Sequence, residues 1–317
     1  MSLPHLNVAM HVIKRTALLL VITPFIITFT ITSTNTMIVA QTSSFTAMSF
    51  NIRYDNPDDG QHAWPNRKQY VVDVINRYSA KIIGIQEAEY HQLTYLDDQL
   101  TSYSWFGVGR DDGEKKGEFT AIFYNTERFE LLEHDTFWCS ETPEKPAPGW
   151  DAALPRTVTW GLLHDRETSR QFRIYNNHFD HRGEQARSKC AKLLLQKIDA
   201  HQPNENAQKG PVPVLVTGDF NARPDSPPYQ ILTGKTDGNQ PLHLSDSKHI
   251  TETKPRGPNG TFTGFDRSQE IDEPIDYIFV NGGITIHTHT TIDDIYDGIL
   301  PSDHYPVAVE MSISVRR

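Results

Sequence analysis

The chain has 317 residues, 37% of them hydrophobic and 22% charged, a balance that argues against disorder and suits a globular protein with a sizeable core. Its formal charge of −10 at pH 7 weighs against a protein held on duplex DNA chiefly by phosphate neutralisation, while leaving room for a local basic cleft. Two cysteines are too few for a disulfide framework, although one bridge between Cys139 and Cys190 stays open.

In chain order, the first segment stands apart. Lys14 and Arg15 precede the apolar run TALLLVITPFIITFTI, a polar tail follows, and IVAQ sets a small residue before Gln41. This is the pattern of a secretory signal peptide over residues 1–40, with the mature domain over 41–317. The interspersed Thr residues and Pro24 favour cleavage near Ala40 over a retained membrane anchor, so no stable span is expected afterwards. No cysteine near the cleavage region offers a lipid acceptor, and Met10 is an alternative start. Cleavage removes two basic and no acidic residues, moving the charge from −10 to −12. The expected destination is outside the cytoplasm, periplasmic or secreted.

Apolar runs rich in β-branched and aromatic residues then recur: FTAMSFNI, KIIGIQ, FTAIFY, RTVTWGLL, FRIYNNHF, VPVLVTGDF, IDYIFV, GITIHTHTT and YPVAVEMSI. These read as strands. Between them, Val71, Val72, Ile75 and Tyr78 share one helical face, and Ala186, Cys190, Leu193, Leu194 and Ile198 share another. Three stretches read as long loops: NPDDGQHAWP, GRDDGEKKGE and the Pro-rich SETPEKPAPGWDAALPR. With no repeat or dividing linker, the elements predict one α/β domain, two packed sheets with helices outside.

In GDFN, Asp219 and Asn221 are two residues apart, so on a persisting strand both emerge on one face while Phe220 turns to the core. Taken alone, the pair could equally cap a turn. Other strands, however, carry polar groups at their ends: Asn51 after AMSF, Glu87 after IIGIQ, His178 closing RIYNNH, Asp276 opening DYIFV, and Asp303 with His304 before YPVAV. Such endings can converge on one rim.

The segments SFNIR, IQE, NNHFDHRGEQAR, GDFN, IDYIFV and SDHYPV, in this order and with these separations, resemble the endonuclease/exonuclease/phosphatase family from Ser49 to Val307. The resemblance implies a four-layered α/β sandwich, two packed, mainly antiparallel β-sheets flanked by helices, that hydrolyses phosphoesters with Mg²⁺. It implies that Glu87 is the principal metal ligand, with Asn51 and Asp303 on the metal side. Asp219 would orient or deprotonate the attacking water, His178 and Asn221 would grip phosphate, and His304, paired with Asp276, would face the phosphorus. The chemistry agrees with this set. Mg²⁺, with Mn²⁺ as a substitute, favours hard oxygen ligands, and zinc would want more His or Cys. An Asp276 contact would fix the His304 ring, which suits either a base or a cation; the reading favours Asp219 as base and a protonated His304 as phosphate stabiliser.

Loops around the site suggest substrate contacts from Arg182, Trp150, Arg110 and the strand-end phenol of Tyr124, with Trp64, Arg67, Asp111 and Arg156 nearby. Loop anchoring is an equal reading for the aromatic residues, and a structural bridge is favoured for Arg187. The expected function is an exported Mg²⁺-dependent phosphoesterase cleaving a phosphodiester or phosphomonoester by direct attack of an activated water. A small molecule, lipid headgroup or sugar phosphate is favoured over nucleic acid on charge. The alternatives are a nuclease of the same fold acting on DNA or RNA, and a non-catalytic binding protein that keeps the fold.

Overall fold

The computed structural model describes residues 43–203, 211–235, 242–268 and 271–313, all within the unit Ala40–Arg317; the signal-peptide reading of residues 1–40 lies outside them. The elements run β1 (Phe45–Asn51), α1 (Trp64–Arg77), β2 (Ala80–Gln86), α2 (Tyr90–Gln99), β3 (Tyr103–Phe106), β4 (Ile122–Asn125), β5 (Phe129–Trp138), β6 (Thr157–Asp165), β7 (Arg170–His178) and α3 (Glu184–Ala200). They continue with β8 (Val214–Asp219), α4 (Pro227–Leu232), β9 (Ser245–Asp246), α5 (Ser247–Ile250), β10 (Asp276–Asn281), β11 (Ile284–Thr291) and β12 (Val307–Ile313). Among the described residues, no helix is long and apolar enough to cross a membrane.

The strands form two six-stranded sheets, ordered β11-β12-β1-β2-β4-β3 and β5-β6-β7-β8-β10-β9. Within each, the central pair is parallel, β1 with β2 and β7 with β8, and every other neighbour is antiparallel. The expected sandwich is therefore present. Apolar side chains that alternate along the strands meet between the sheets, where Ala47, Ile82, Ile174, Leu215, Ile278 and Val309 are buried. The opposite faces are apolar too, because helices cover them: Val71, Val74, Ile75 and Leu93 pack on Phe50 and Ile83 of one sheet, and Leu194, Ile198 and Tyr229 pack with Val216 and Phe279 of the other. Strands buried on both faces read as continuous apolar runs, which is why β2 and β8 were visible in the sequence.

Gly84 of β2 leaves no room for a side chain between the sheets. A Cβ there would lie 2.1 Å from Thr217 Oγ1 and 2.6 Å from Asn176 Oδ1. That amide is itself a tie between the layers, accepting from Gln86 Nε2 at 2.6 Å and donating to the carbonyls of Ile85 and Ala121. A disulfide joins Cys139, just after β5, to Cys190 of α3 with 5.1 Å between Cα atoms.

The sequence reading omits β3, β5 and the two-residue β9, and it omits α2, α4 and α5. β5 lies at a sheet edge and its middle, from Glu130 to Asp135, is mostly solvent-facing, so it lacks the apolar signature of a central strand. The helical faces hold with one adjustment in each: Val71, Val72 and Ile75 are buried while Tyr78 is half-buried, and in α3 Leu195 is buried where Leu193 is only partly so.

Candidate active site

Because the central pair of each sheet is parallel, β1, β2, β7 and β8 all finish at one edge. There they deliver Asn51, Glu87, His178 and Asp219. Strands antiparallel to them deliver their beginnings instead: Asp276 opens β10 directly opposite Asp219, and Asp303 and His304 precede β12, which runs against β1. Positions scattered along the chain thus meet in one place. A cavity of about 640 Å³ at this edge is lined by Glu87, His178, Asp219, Asn221, Asp303 and His304, among others.

The contacts are close. Asn51 Nδ2 donates to Glu87 Oε1 at 2.9 Å and to Asp219 Oδ2 at 3.0 Å. His304 Nδ1 lies 2.8 Å from Asp276 Oδ2 and its Nε2 is 3.8 Å from Asp219 Oδ2. His178 Nε2 is 3.5 Å from Asp219 and 3.9 Å from Glu87. The backbone N–H of Asn221 donates to Asp219 Oδ1 at 2.9 Å, and its side-chain amide donates to the Phe179 carbonyl. Three cavity residues, Arg53, Glu87 and Asn221, hold positive φ of 59°, 63° and 46°, a costly conformation for non-glycine residues that clusters at functional sites.

Burial in this setting moves protons. Burial, helped by the charge of Asp276, pushes Asp219 up to about 7, and burial likewise raises Asp303. Burial opposes the charged form of His304, but Asp276, Asp219 and Asp303 outweigh it and hold the ring well above the ordinary histidine value, as an imidazolium. His178 goes the other way: burial and the Arg156 and Arg110 guanidiniums keep it neutral. Crowded carboxylates that resist ionisation together with a neutral imidazole suit a divalent cation. Ligand atoms of Glu87, His178 and Asp219 lie within 4.8 Å of one another, close enough to share one cation. Asp303 reaches this group through Arg53, whose guanidinium is 3.7 Å from Asp303 and 4.0 Å from Glu87.

The expected substrate residues divide. Arg110 lines the cavity and its Nη1 donates to Glu118 Oε2 at 2.6 Å. Tyr124 does not reach the site. It pairs with Ile82 and packs between the sheets 6.1 Å from the Phe106 ring, because β4 runs away from the edge and presents its beginning there rather than its end. Trp150 packs on the core beneath α3 and does not line the cavity. Arg182 is exposed and does not line the cavity; its neighbour His181 does. Arg187 donates to the Asp180 carbonyl, a loop-holding role. Trp64 is buried in the outer core. Arg67 is wholly buried and donates to the carbonyls of Ile52, Arg53, Tyr54, His62 and Pro301; it clamps the Asn51 loop to the Asp303 loop and is no substrate platform.

Glu118, Arg53, Leu154 and Phe262 line the cavity without having been singled out. Glu118 was legible in principle, since it directly precedes the apolar run FTAIFY that contains β4. Arg156 immediately precedes β6, antiparallel to β7, and so sits beside His178, with Nη1 2.9 and 3.0 Å from the two ring nitrogens.

The chain matches the family model described as Endonuclease/Exonuclease/phosphatase family over residues 48–304. It is similar to a crystal structure of an endonuclease/exonuclease/phosphatase family protein from Bacteroides thetaiotaomicron, at 34% identity and a TM-score of 0.79 over 87% of this chain and 100% of that one. A mannosyl-6-phosphatase of Bacteroides thetaiotaomicron VPI-5482 is 35% identical, with a TM-score of 0.77 over 84% of this chain and 99% of that one. A probable RNA exonuclease of Saccharomyces cerevisiae is 25% identical over 180 residues, 54% of this chain and 34% of that protein. The chain spans about half the length, or less, of the first curated relatives it matches.

Proposed function

The chain belongs to the endonuclease/exonuclease/phosphatase family, whose members hydrolyse phosphoesters, and we propose on that premise that it is an exported phosphatase of small phosphorylated sugars. The observation that carries the hydrolytic reading is the meeting of Glu87, Asn51, Asp219 and the His304–Asp276 pair at one buried edge. Glu87, beside Asn51 and within reach of Asp219 and His178, would be the principal ligand of a divalent cation, Mg²⁺ with Mn²⁺ as substitute, with Asp303 facing it across the Arg53 guanidinium; when bound, the ion would withdraw charge from the phosphate oxygens.

The side chains do the rest. Asn51 Nδ2 and the Asn221 N–H fix the two oxygens of Asp219, so this carboxylate is aimed to orient a water and take its proton. His304, charged and held by Asp276, steadies the oxygens that gain charge as water attacks. Neutral His178 retains one N–H to give, backed by Arg156, and the Asn221 amide has a second N–H beyond the one bonded to Phe179. The new P–O bond forms to water, the bond to the leaving oxygen breaks, and that oxygen takes up a proton.

Three observations support a sugar phosphate over nucleic acid: the 35% identity to a mannosyl-6-phosphatase, the acidic chain, and the apolar side chains of Leu154 and Phe262 in the cavity wall. Export is supported by the signal pattern of residues 1–40 and by a disulfide suited to oxidising compartments. The test is release of inorganic phosphate from hexose 6-phosphates with Mg²⁺ and with chelator, alongside an RNA oligonucleotide. Chelator-sensitive release from the hexose phosphates is expected. Faster cleavage of RNA would instead favour the nuclease reading, which the yeast relative motivates.

A further inference from the structure

A second cavity of about 570 Å³ adjoins the catalytic one, sharing Phe262 and Ile275 as a common wall. Phe262 is 47% exposed, the most open large apolar side chain among the described residues, and Leu154 across the catalytic cavity is 37% exposed. Open apolar rings beside a polar site mark contact surfaces. The segment carrying Phe262 is not a loose loop. Thr263 N and Oγ1 both donate to the Asp303 carbonyl, at 2.7 and 2.8 Å, and Tyr305 N donates to the Thr261 carbonyl. Phe262 is therefore fixed to the same backbone as the catalytic histidine, with its ring centroid 5.0 Å from that of His304.

Beyond this ring the chemistry changes sign. Among the described residues, the second cavity is lined by Asp266, Asp272 and Glu273 against one cation, Arg223, and Arg223 Nε lies 3.3 Å from Glu273. Carboxylates are pure acceptors, matched by hydroxyl donors and repelled by phosphate. A pyranose has a C–H face for an aromatic ring and a rim of hydroxyls, so it fits Phe262 followed by acceptors.

We propose that the cavity beyond Phe262 is a leaving-group subsite for an uncharged, hydroxyl-rich unit, and that its carboxylates reject substrates bearing a second phosphate there. The proposal rests on the phosphatase reading and gives it a substrate class: singly phosphorylated sugars, extended by a further sugar on the side away from the phosphate. Hydrolysis is the same balanced exchange as above, water's oxygen replacing the sugar oxygen on phosphorus and the sugar leaving as its alcohol.

The test compares kcat/KM for mannose 6-phosphate, fructose 1,6-bisphosphate, phosphorylcholine and p-nitrophenyl phosphate in the wild type, in Phe262→Ala and in Asp272→Asn/Glu273→Gln, with thermal melts to verify folding. Mannose 6-phosphate is expected to exceed the bisphosphate at least about tenfold in the wild type. The charge variant should shrink that ratio at least threefold. Phe262→Ala should lower mannose 6-phosphate relative to p-nitrophenyl phosphate by about tenfold. A wild type that turns over p-nitrophenyl phosphate yet favours the bisphosphate or phosphorylcholine, or ratios unmoved in folded variants, would overturn the subsite and leave the phosphatase reading standing. No turnover of any of the four would remove that reading, and the subsite with it.

Discussion

Asp219 shows how a single side chain gathers the properties the chemistry needs. Its two oxygens are held by different partners, Asn51 on one side and the Asn221 backbone on the other, and burial raises its proton affinity to about 7. A carboxylate so fixed can work as a base only while it keeps its charge and basicity. Asp219→Asn preserves shape and removes both, so kcat should fall about 10²–10⁴-fold with little change in KM, as measured by phosphate release at saturating substrate. A rise in KM with kcat unchanged would show that Asp219 merely binds. At this scale the sequence was most informative where a polar residue flanks a strand: Asn51, Glu87, His178 and Asp219 at strand ends and His304 ahead of β12 all reach the site. It was least informative for side chains in loops. Trp150 and Arg182 have the right chemistry, but the sequence carries no signal of which way a loop residue faces.

Elements explain the remaining misplacements through strand direction. A strand running toward the catalytic edge presents its end there and one running away presents its start, so Tyr124, at the far end of β4, misses the edge while Glu118, four residues before the strand begins, lines the cavity. Strand partners and their directions are set by long-range pairing, which a local apolar run does not encode. The sheet-to-sheet distance has a local determinant in Gly84, where a methyl group would overlap Thr217 and Asn176. Both atoms belong to buried, hydrogen-bonded side chains, Asn176 tied across the layers to Gln86 and Thr217 to Asn176, so neither can move without breaking a hydrogen bond. Gly84→Ala should therefore cost about 1–3 kcal/mol of stability, read as a lower midpoint in urea with an unchanged slope. A neutral outcome would mean that the two sheets can separate locally at no cost.

For the molecule as a whole, buried ionisable groups pull stability in opposite directions with pH. Asp219, at about 7 in the fold, binds its proton at higher pH than an unfolded aspartate does. Its contribution therefore favours the fold as pH falls from neutrality, and at neutral pH its buried charge is a load that a bound cation would relieve. His289 acts the opposite way. It sits on β11, 4% exposed beside Ser247; burial first, then the charges of Lys248 and His249, press it down to about 4. Above the unfolded value near 6.5 the ring is neutral in both states and costs nothing. Between 6.5 and 4 the unfolded chain takes up a proton that the folded chain refuses, so stability declines by up to about 3 kcal/mol over that window and no further below it. The opposing carboxyls hide this slope in the wild type alone, and the difference between wild type and His289→Gln isolates it. Urea midpoints in EDTA, followed from pH 7 to pH 4, should show the variant gaining on the wild type steadily as pH falls. Parallel curves would mean that His289 is protonated inside the fold as easily as outside it.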